Sequence, residues 1–471
     1  MDIKTKLLEG QGEIIHEIHS NVEENLEKIS KELNIKPNVL ARAGDKAEVL
    51  IRKDTIDLRI CICGNVDAGK STLLGVLTSG EKDNGRGYAR LKIFKHRHEQ
   101  ETGRTSSVSY RSIGFDTDGN VMNYDKNTLR MVDKKQMIDN SSKLVTLYDL
   151  AGHEKYLKTT MFGISSSVPD YAMIVISANN GIQRMTKEHM CICLALKIPF
   201  FIVITRIDAC PTNVYESTIS SIEKIIKNPG IRKIPYYINS MEDVIITTKN
   251  LSQDKIVPII SVSNVTHERI DLVRKLLNLL PIRKSWNDVI NEPSECVVDS
   301  MYQVPGVGCV LAGLVSKGCI SVNDSLNLGP DVRGKYKQVQ IRSIQINGIN
   351  KKRVEAGKVA AFNIVKHKGF HISKGMVLLD NTLPTIAVWE FQAEIKILYH
   401  STTINIGYEP VINFGSIKQS AKIIKIEKDR SLRTGDKAIV TFKFKYKPEY
   451  ILSGTKIILR ENKTRGVGIV L

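Results

Sequence analysis

Apolar residues recur near the start of the chain at Ile14, Ile15, Ile18, Val22, Leu26, Ile29 and Leu33, mostly three or four apart with Glu and Lys between them. That period predicts an amphipathic helix, stopped by Asn34 and Pro37 and docked on the body or on a partner. From Ala47 to about Pro281 short apolar runs alternate with stretches of helical period. Leu58–Cys63, Leu144–Leu147, Tyr171–Ser177, Phe200–Ile204 and Val257–Ser261 predict strands, and Lys70–Leu77, Lys187–Leu196, Val214–Lys227 and Glu268–Leu280 predict helices. Such alternation is satisfied by a mostly parallel sheet with helices on both faces. Ser112–Asp116 and Val121–Tyr124, joined by Asp118-Gly119-Asn120, predict an inserted hairpin.

Beyond Pro281 the helical period is lost, and short β-rich runs separated by glycines continue to Leu471. Gly306, Gly308, Gly313 and Gly318 punctuate one set of strands. Phe391–Leu398, Ala421–Ile426, Ala438–Phe444 and Lys456–Leu459 form a second. Two β-barrels of roughly ninety residues each account for this pattern. The expected organisation is an N-terminal helical extension over residues 1–54, an α/β domain over 55–284, and all-β barrels over 293–381 and 387–471.

A length of 471 residues is comfortable for three hydrophobic cores. The formal net charge of +18, from 68 Lys and Arg against 50 Asp and Glu, fits either a polyanionic partner or a solvated lysine-rich surface. No compact basic tract stands out, so charge alone does not decide between them. The eight cysteines, at positions 61, 63, 191, 193, 210, 296, 309 and 319, include no CxxC pair. Their spacing argues against a zinc site and for small buried thiols kept reduced, which places the chain in the cytoplasm. The N-terminus carries no apolar signal region, and no stretch approaches the ~18 apolar residues of a membrane span. A soluble protein with no membrane role is expected.

The chemistry begins at Gly64-Asn65-Val66-Asp67-Ala68-Gly69-Lys70-Ser71, followed by Thr72. It matches G-x-x-x-x-G-K-[ST] between a predicted strand and a predicted helix, the context this phosphate loop requires. Backbone N–H groups and the helix N-terminus face the phosphates, Lys70 adds a point charge at the β- and γ-phosphates, and Ser71 is the expected Mg²⁺ ligand. Asp149-Leu150-Ala151-Gly152-His153 ends another strand, where α/β sheets place their ligands. There Asp149 can reach Mg²⁺ through water, Gly152 lets a backbone N–H approach the γ-phosphate, and His153 can lie near an attacking water.

A base-selecting carboxylate follows from Thr205-Arg206-Ile207-Asp208 at the end of the run Phe200–Ile204. Guanine presents N1–H and N2–H₂ as adjacent donors that Asp208 can accept together, whereas adenine meets that carboxylate with an acceptor. Thr205 keeps a hydroxyl that can hydrogen-bond the base side. Ser263, Asn264 and Val265, after another apolar run, can offer backbone N–H groups to guanine O6.

These motifs, in this order, resemble those of the translational GTPases, elongation factor Tu and its relatives, over Leu58 to Leu471. GNVDAGKSTLLGVLTSGEKDNGRG, HEQETGRTSSV and DLAGHEKYLKTTMFG resemble the GTP-binding protein 1 and 2 subfamily in particular. VPGVGCVLAG resembles the opening of the family's second domain and RENKTRGVG, Arg460 to Gly468, the end of its third. The resemblance implies an α/β P-loop GTPase domain followed by two all-β barrels, and a monomer. It also implies GTP and GDP as ligands with Mg²⁺, Thr105 as the switch threonine that closes over Mg²⁺ and γ-phosphate, and His153 as the residue that orients water.

Two departures from the family pattern stand out. Thr205-Arg206 replaces the usual Asn-Lys, and a planar guanidinium is not equivalent to a lysine stem lying along the base. Asn65 and Ala68 occupy phosphate-loop positions where histidines are frequent, with little effect expected on phosphate binding. The implied partner is RNA, as aminoacyl-tRNA or the ribosome. A GTP-switched adaptor in RNA surveillance or mRNA decay is the alternative, and a P-loop enzyme phosphorylating a small acceptor is disfavoured by Asp208 and by the lack of a lid. Arg86, Arg90, Lys92, Lys95, Arg97 and Arg104, between the phosphate loop and Thr105, are candidate RNA contacts or a solvated loop.

Overall fold

A computed structural model describes residues 3–53, 55–94, 99, 105, 108–228, 231–251, 254–367, 369–427, 430–461 and 464–471. Lys95, Arg97 and Arg104, like Asn462, Lys463 and most of HEQETGRTSSV, lie outside the described residues. The chain forms two compact units. One runs to Gly163 and resumes over Pro169–Lys284; the other takes Ile164–Val168 and Ser285–Leu471.

The N-terminal segment corrects the expectation of a helical extension. After a short helix, α1 (Ile3–Glu9), Ile14, Ile15 and Ile18 lie in a strand, β1 (Glu13–Ile18), and only Val22 onwards is helical, in α2 (Val22–Leu33). β2 (Asn38–Ala43) and β3 (Lys46–Arg52) complete a three-stranded antiparallel sheet in the order β1-β3-β2. β-Branched neighbours such as Ile14-Ile15 suit a strand better than a helix. Asn21, in the left-handed region at φ 47°, turns the chain where one long helix would need to continue.

The central sheet runs in the order β5 (Ser109–Phe115), β6 (Lys143–Asp149), β4 (Ile56–Gly64), β7 (Tyr171–Ser177), β8 (Phe200–Thr205), β10 (Ile256–Ser261), β9 (Ile234–Tyr237). All neighbours are parallel except β5 against β6. The helices of this region are α3 (Lys70–Ser79), α4 (Tyr88–Leu91), α5 (Lys134–Asp139), α6 (Leu157–Ser167), α7 (Arg184–Ala195), α8 (Thr212–Ile226), α9 (Met241–Asn250) and α10 (Ile270–Leu279). The expected hairpin is reduced to β5 and isolated bridges such as Phe115 to Val121, because Asp116 and Asn123 turn their side chains onto nearby backbone N–H groups instead of allowing a second strand.

β4 pairs with β6 on one side and β7 on the other, so the chain reverses its direction of winding there and leaves a crevice at the carboxyl ends of the strands. Leu58, Ile60 and Ile62 on β4 and Leu73, Leu74 and Leu77 on α3 are wholly buried in one core. That core fixes strand and helix on either side of the phosphate loop.

The second unit contains two closed antiparallel barrels, each of six strands among the described residues. The first closes in the order Ser325–Gly329, Val377–Leu379, Glu295–Val304, Gly308–Lys317, Val359–Val365, Lys337–Ile346. The second closes in the order Glu390–Tyr399, Lys437–Phe444, Ile417–Ile426, Val411–Phe414, Lys456–Glu461, Thr464–Val470. Alternate residues of each strand point inward, and Phe391, Phe442 and Phe444 pack together in the second barrel.

Candidate functional site

Strand register assembles the site. Ile62 lies beside Asp149 across the β4–β6 pairing, and Gly64 lies beside Val175 across β4–β7. Asp149 is therefore delivered next to the loop Asn65–Gly69, at the entrance of α3. The N–H groups of Lys70, Ser71 and Thr72 open that helix, and the first backbone bond inside it is Leu73 to Gly69. Unpaired N–H groups at a helix start attract anions.

Ser71 Oγ lies 2.6 Å from Asp149 Oδ2 and 2.9 Å from Thr105 Oγ1, and Thr105 Oγ1 lies 3.2 Å from the same Asp149 oxygen. Asp149 is wholly buried, and its Oδ1 has no hydrogen-bond partner among the described residues. Octahedral Mg²⁺, with bonds of about 2.1 Å, spaces neighbouring oxygen ligands at about 3 Å. The three oxygens present therefore fit that ion, with a second carboxylate oxygen in reserve. Burial pushes the Asp149 carboxyl up, while the Lys70 charge and the Ser71 and Thr105 hydroxyls oppose that rise. Burial likewise lowers the Lys70 ammonium, opposed by the charge of Asp149. A divalent cation beside Asp149 favours its ionised form.

Gly152 touches the phosphate loop so closely that an added Cβ would stand 2.5 Å from Lys70 Nζ and 2.7 Å from the Val66 nitrogen. No other residue fits there without moving the phosphate-loop backbone. Thr160 Oγ1 braces this turn by donating to the Ala151 carbonyl at 2.7 Å. His153, half-buried, accepts the Lys155 N–H on Nδ1 at 3.1 Å. The proton of its neutral ring is thereby assigned to Nε2. Val66, Asp67, Gly69, Lys70, Ser71, Thr72, Arg90, Thr105, Gly152 and His153 line one pocket.

The base-binding residues divide differently from expectation. Asp208 is exposed just beyond β8, in the first turn after Arg206, where its carboxylate is open to a ligand. Arg206 is also exposed, in the left-handed region at φ 63°. Thr205, by contrast, is wholly buried and its hydroxyl donates to the Ala68 carbonyl at 2.8 Å, so it ties the base strand to the phosphate loop. The Ser263 N–H bonds Glu268, and those of Val265 and Thr266 bond Ser263 Oγ. Of Ser263, Asn264 and Val265, the Asn264 N–H is the donor that the described residues leave for guanine O6.

Three features escape a reading of spacing alone. His189 on α7 accepts the Gly64 N–H on Nδ1 at 3.1 Å, holding the first residue of the loop. The sulfurs of Cys61, Cys63 and Cys193, unrelated by any metal-binding spacing, lie within 4.8 Å of one another, wholly buried between β4 and α7. Arg90 turns to the phosphate pocket, while Lys92 pairs with Glu81 at 2.5 Å and Arg86 is exposed.

A profile of the elongation factor Tu GTP binding domain matches residues 57–282. GTP-binding protein 1 of Xenopus laevis is 45% identical over 434 residues, covering 91% of this chain and 66% of that protein. The chain thus spans just under two thirds of that relative's length. GTP-binding protein 2 of Homo sapiens is 37% identical, covering 99% of this chain and 83% of that protein. Translation elongation factor SelB from Methanococcus maripaludis, solved in complex with the GTP analogue GppNHp, shares the fold at TM-score 0.61 and 19% identity, over 88% of this chain and 79% of that one. The Ski7 GTPase-like domain of S. cerevisiae, bound to GTP, gives TM-score 0.64 at 14% identity over 89% and 98%.

Proposed function

The chain belongs to the elongation factor Tu GTP-binding domain family, with GTP-binding proteins 1 and 2, and from that premise we propose that it is a Mg²⁺-dependent GTP hydrolase acting on tRNA or the ribosome in elongation. The observation that carries this reading is the meeting of Lys70, Ser71, Thr105 and Gly152 in one pocket, with the buried Asp149 hydrogen-bonded to Ser71 and Thr105 and with Asp208 at the end of a neighbouring strand. Water attacks the γ-phosphate in line, and positioning with charge stabilisation supplies the catalysis. Lys70 and the α3 N–H groups face the phosphate charge. Ser71, Thr105 and Asp149 would hold Mg²⁺, whose charge screens phosphate oxygens when it is bound. His153 Nε2 orients the water once a partner presses the loop inward, so turnover without that partner is slow.

RNA is the proposed partner. Arg86, Arg90, Lys92, Lys95, Arg97 and Arg104, between the phosphate loop and Thr105, are the candidate cations, and contacts made there in a nucleotide-dependent way would couple RNA affinity to nucleotide state. A second reading, a GTP-switched adaptor in RNA surveillance or mRNA decay, draws on Thr205-Arg206, which departs from the usual base-holding pair. GTP turnover with and without ribosomes and charged tRNA separates the two. Stimulation of about a hundredfold or more is expected of the hydrolase, in the range that positioned acid–base groups supply. GTP binding without stimulation would favour the adaptor.

A further inference from the structure

Arg90 sits on α4, a single turn held against α3 by two independent constraints. α4 lies so close to α3 that a Cβ at Gly75 would stand 2.3 Å from the Ala89 carbonyl oxygen. The buried Asp83 carboxylate accepts the N–H groups of Gly85, Gly87 and Ala89 at 3.0, 3.1 and 3.0 Å, locking the turn that enters the helix. Ala89 and Ile93 on either side of Arg90 are buried in the same core as Leu73 and Leu77. The backbone of Arg90 is therefore fixed to the helix that carries Lys70 and Ser71. Its half-buried side chain lines the same pocket as Lys70, Ser71, Gly152 and His153. No carboxylate pairs with it among the described residues, although nearby Lys92 is paired with Glu81.

A half-buried guanidinium that no described carboxylate pairs, its backbone fixed beside an anion site, is arranged for an anion in that site. Resting on the GTPase reading above, we propose that Arg90 is a γ-phosphate ligand supplied by the chain itself. It donates to γ-phosphate oxygens in the bound nucleotide. It continues to do so as the water oxygen bonds phosphorus, the bond from phosphorus to the bridging oxygen breaks, its electron pair leaves with GDP, and the water proton passes to the departing phosphate. This role takes Arg90 out of the candidate RNA surface.

The test compares the full chain with Arg90→Ala and Arg90→Lys, using fluorescent GDP and a fluorescent imido analogue of GTP in the presence of Mg²⁺. Thermal melting checks that each variant is folded. Arg90→Ala is expected to bind GDP within about twofold of wild type and to lose about tenfold or more in affinity for the GTP analogue, as loss of a charge-assisted bond implies. Arg90→Lys should recover part of that loss, and formation of a GDP–aluminium fluoride complex should fail in Arg90→Ala. An unchanged ratio of analogue to GDP affinity would overturn the assignment of Arg90 alone. Equal losses for both nucleotides would also overturn it and make Arg90 a brace of the loop. A wild-type chain that binds neither nucleotide would overturn the GTPase reading, and this proposal with it.

Discussion

Asp149 does its work because register places it beside the phosphate loop. Displaced by one residue along β6, its carboxylate would point to the opposite face of the sheet. The motif around it was legible because an Asp at a strand end, followed three residues later by glycine, needs only local context. The duties of Thr205, His189 and Arg90 were not, since each depends on a partner far away in sequence: Ala68 for Thr205, Gly64 for His189, and the helix after the phosphate loop for Arg90. Under the proposed function the site divides into groups that bind and a group that acts in the transition state. Lys70→Ala and Ser71→Ala should each weaken nucleotide binding, measured by equilibrium titration. His153→Ala should bind GTP as wild type does and lose about 10²–10⁴-fold in stimulated turnover. Equal loss of binding in all three variants would contradict that division.

At the scale of elements, runs with one strong period were legible and runs compatible with two periods were not. α3, α7, α8 and α10 lie within a few residues of their expected positions because their apolar runs are long and their inward residues are buried. The first apolar run misled because spacings of one, three and four fit a strand followed by a helix as well as one helix. α9 begins with a capping box of Ser240 and Asp243, but its apolar stripe is too short for period alone to mark it as a helix. The true N-terminal sheet is anchored beneath the central one by buried charge. Glu13 on β1 meets Arg52 at 3.0 Å and Lys143, the first residue of β6, at 3.1 Å, with all three side chains nearly inaccessible. Lys143 also donates to the Leu280 carbonyl at 2.6 Å and Arg52 to Asn278. Burial lowers the Lys143 ammonium to about 8, against the charge of Glu13 that raises it. Glu13→Ala should therefore cost about 3–5 kcal/mol, because two cations remain buried without their carboxylate. A melting temperature equal to that of wild type would show that the network relaxes or hydrates instead.

For the whole molecule, the order of an α/β nucleotide domain and two barrels follows from the change of period near Pro281, whereas the composition of +18 names no partner. Where on the surface that charge acts depends on how side chains fold together, as the pairing of Lys92 with Glu81 and the inward turn of Arg90 illustrate. All of this bears on function only if the pocket at the strand ends is where a guanine nucleotide is bound and hydrolysed. Asp208→Asn tests that directly, because an amide in place of the carboxylate faces guanine's donors with a donor and suits xanthine instead. Release of phosphate from GTP and from xanthosine triphosphate is measured for the wild type and the variant under identical conditions. The account predicts that wild type consumes GTP and that Asp208→Asn prefers xanthosine triphosphate; undiminished GTP turnover by Asp208→Asn, with none gained on xanthosine triphosphate, would contradict it.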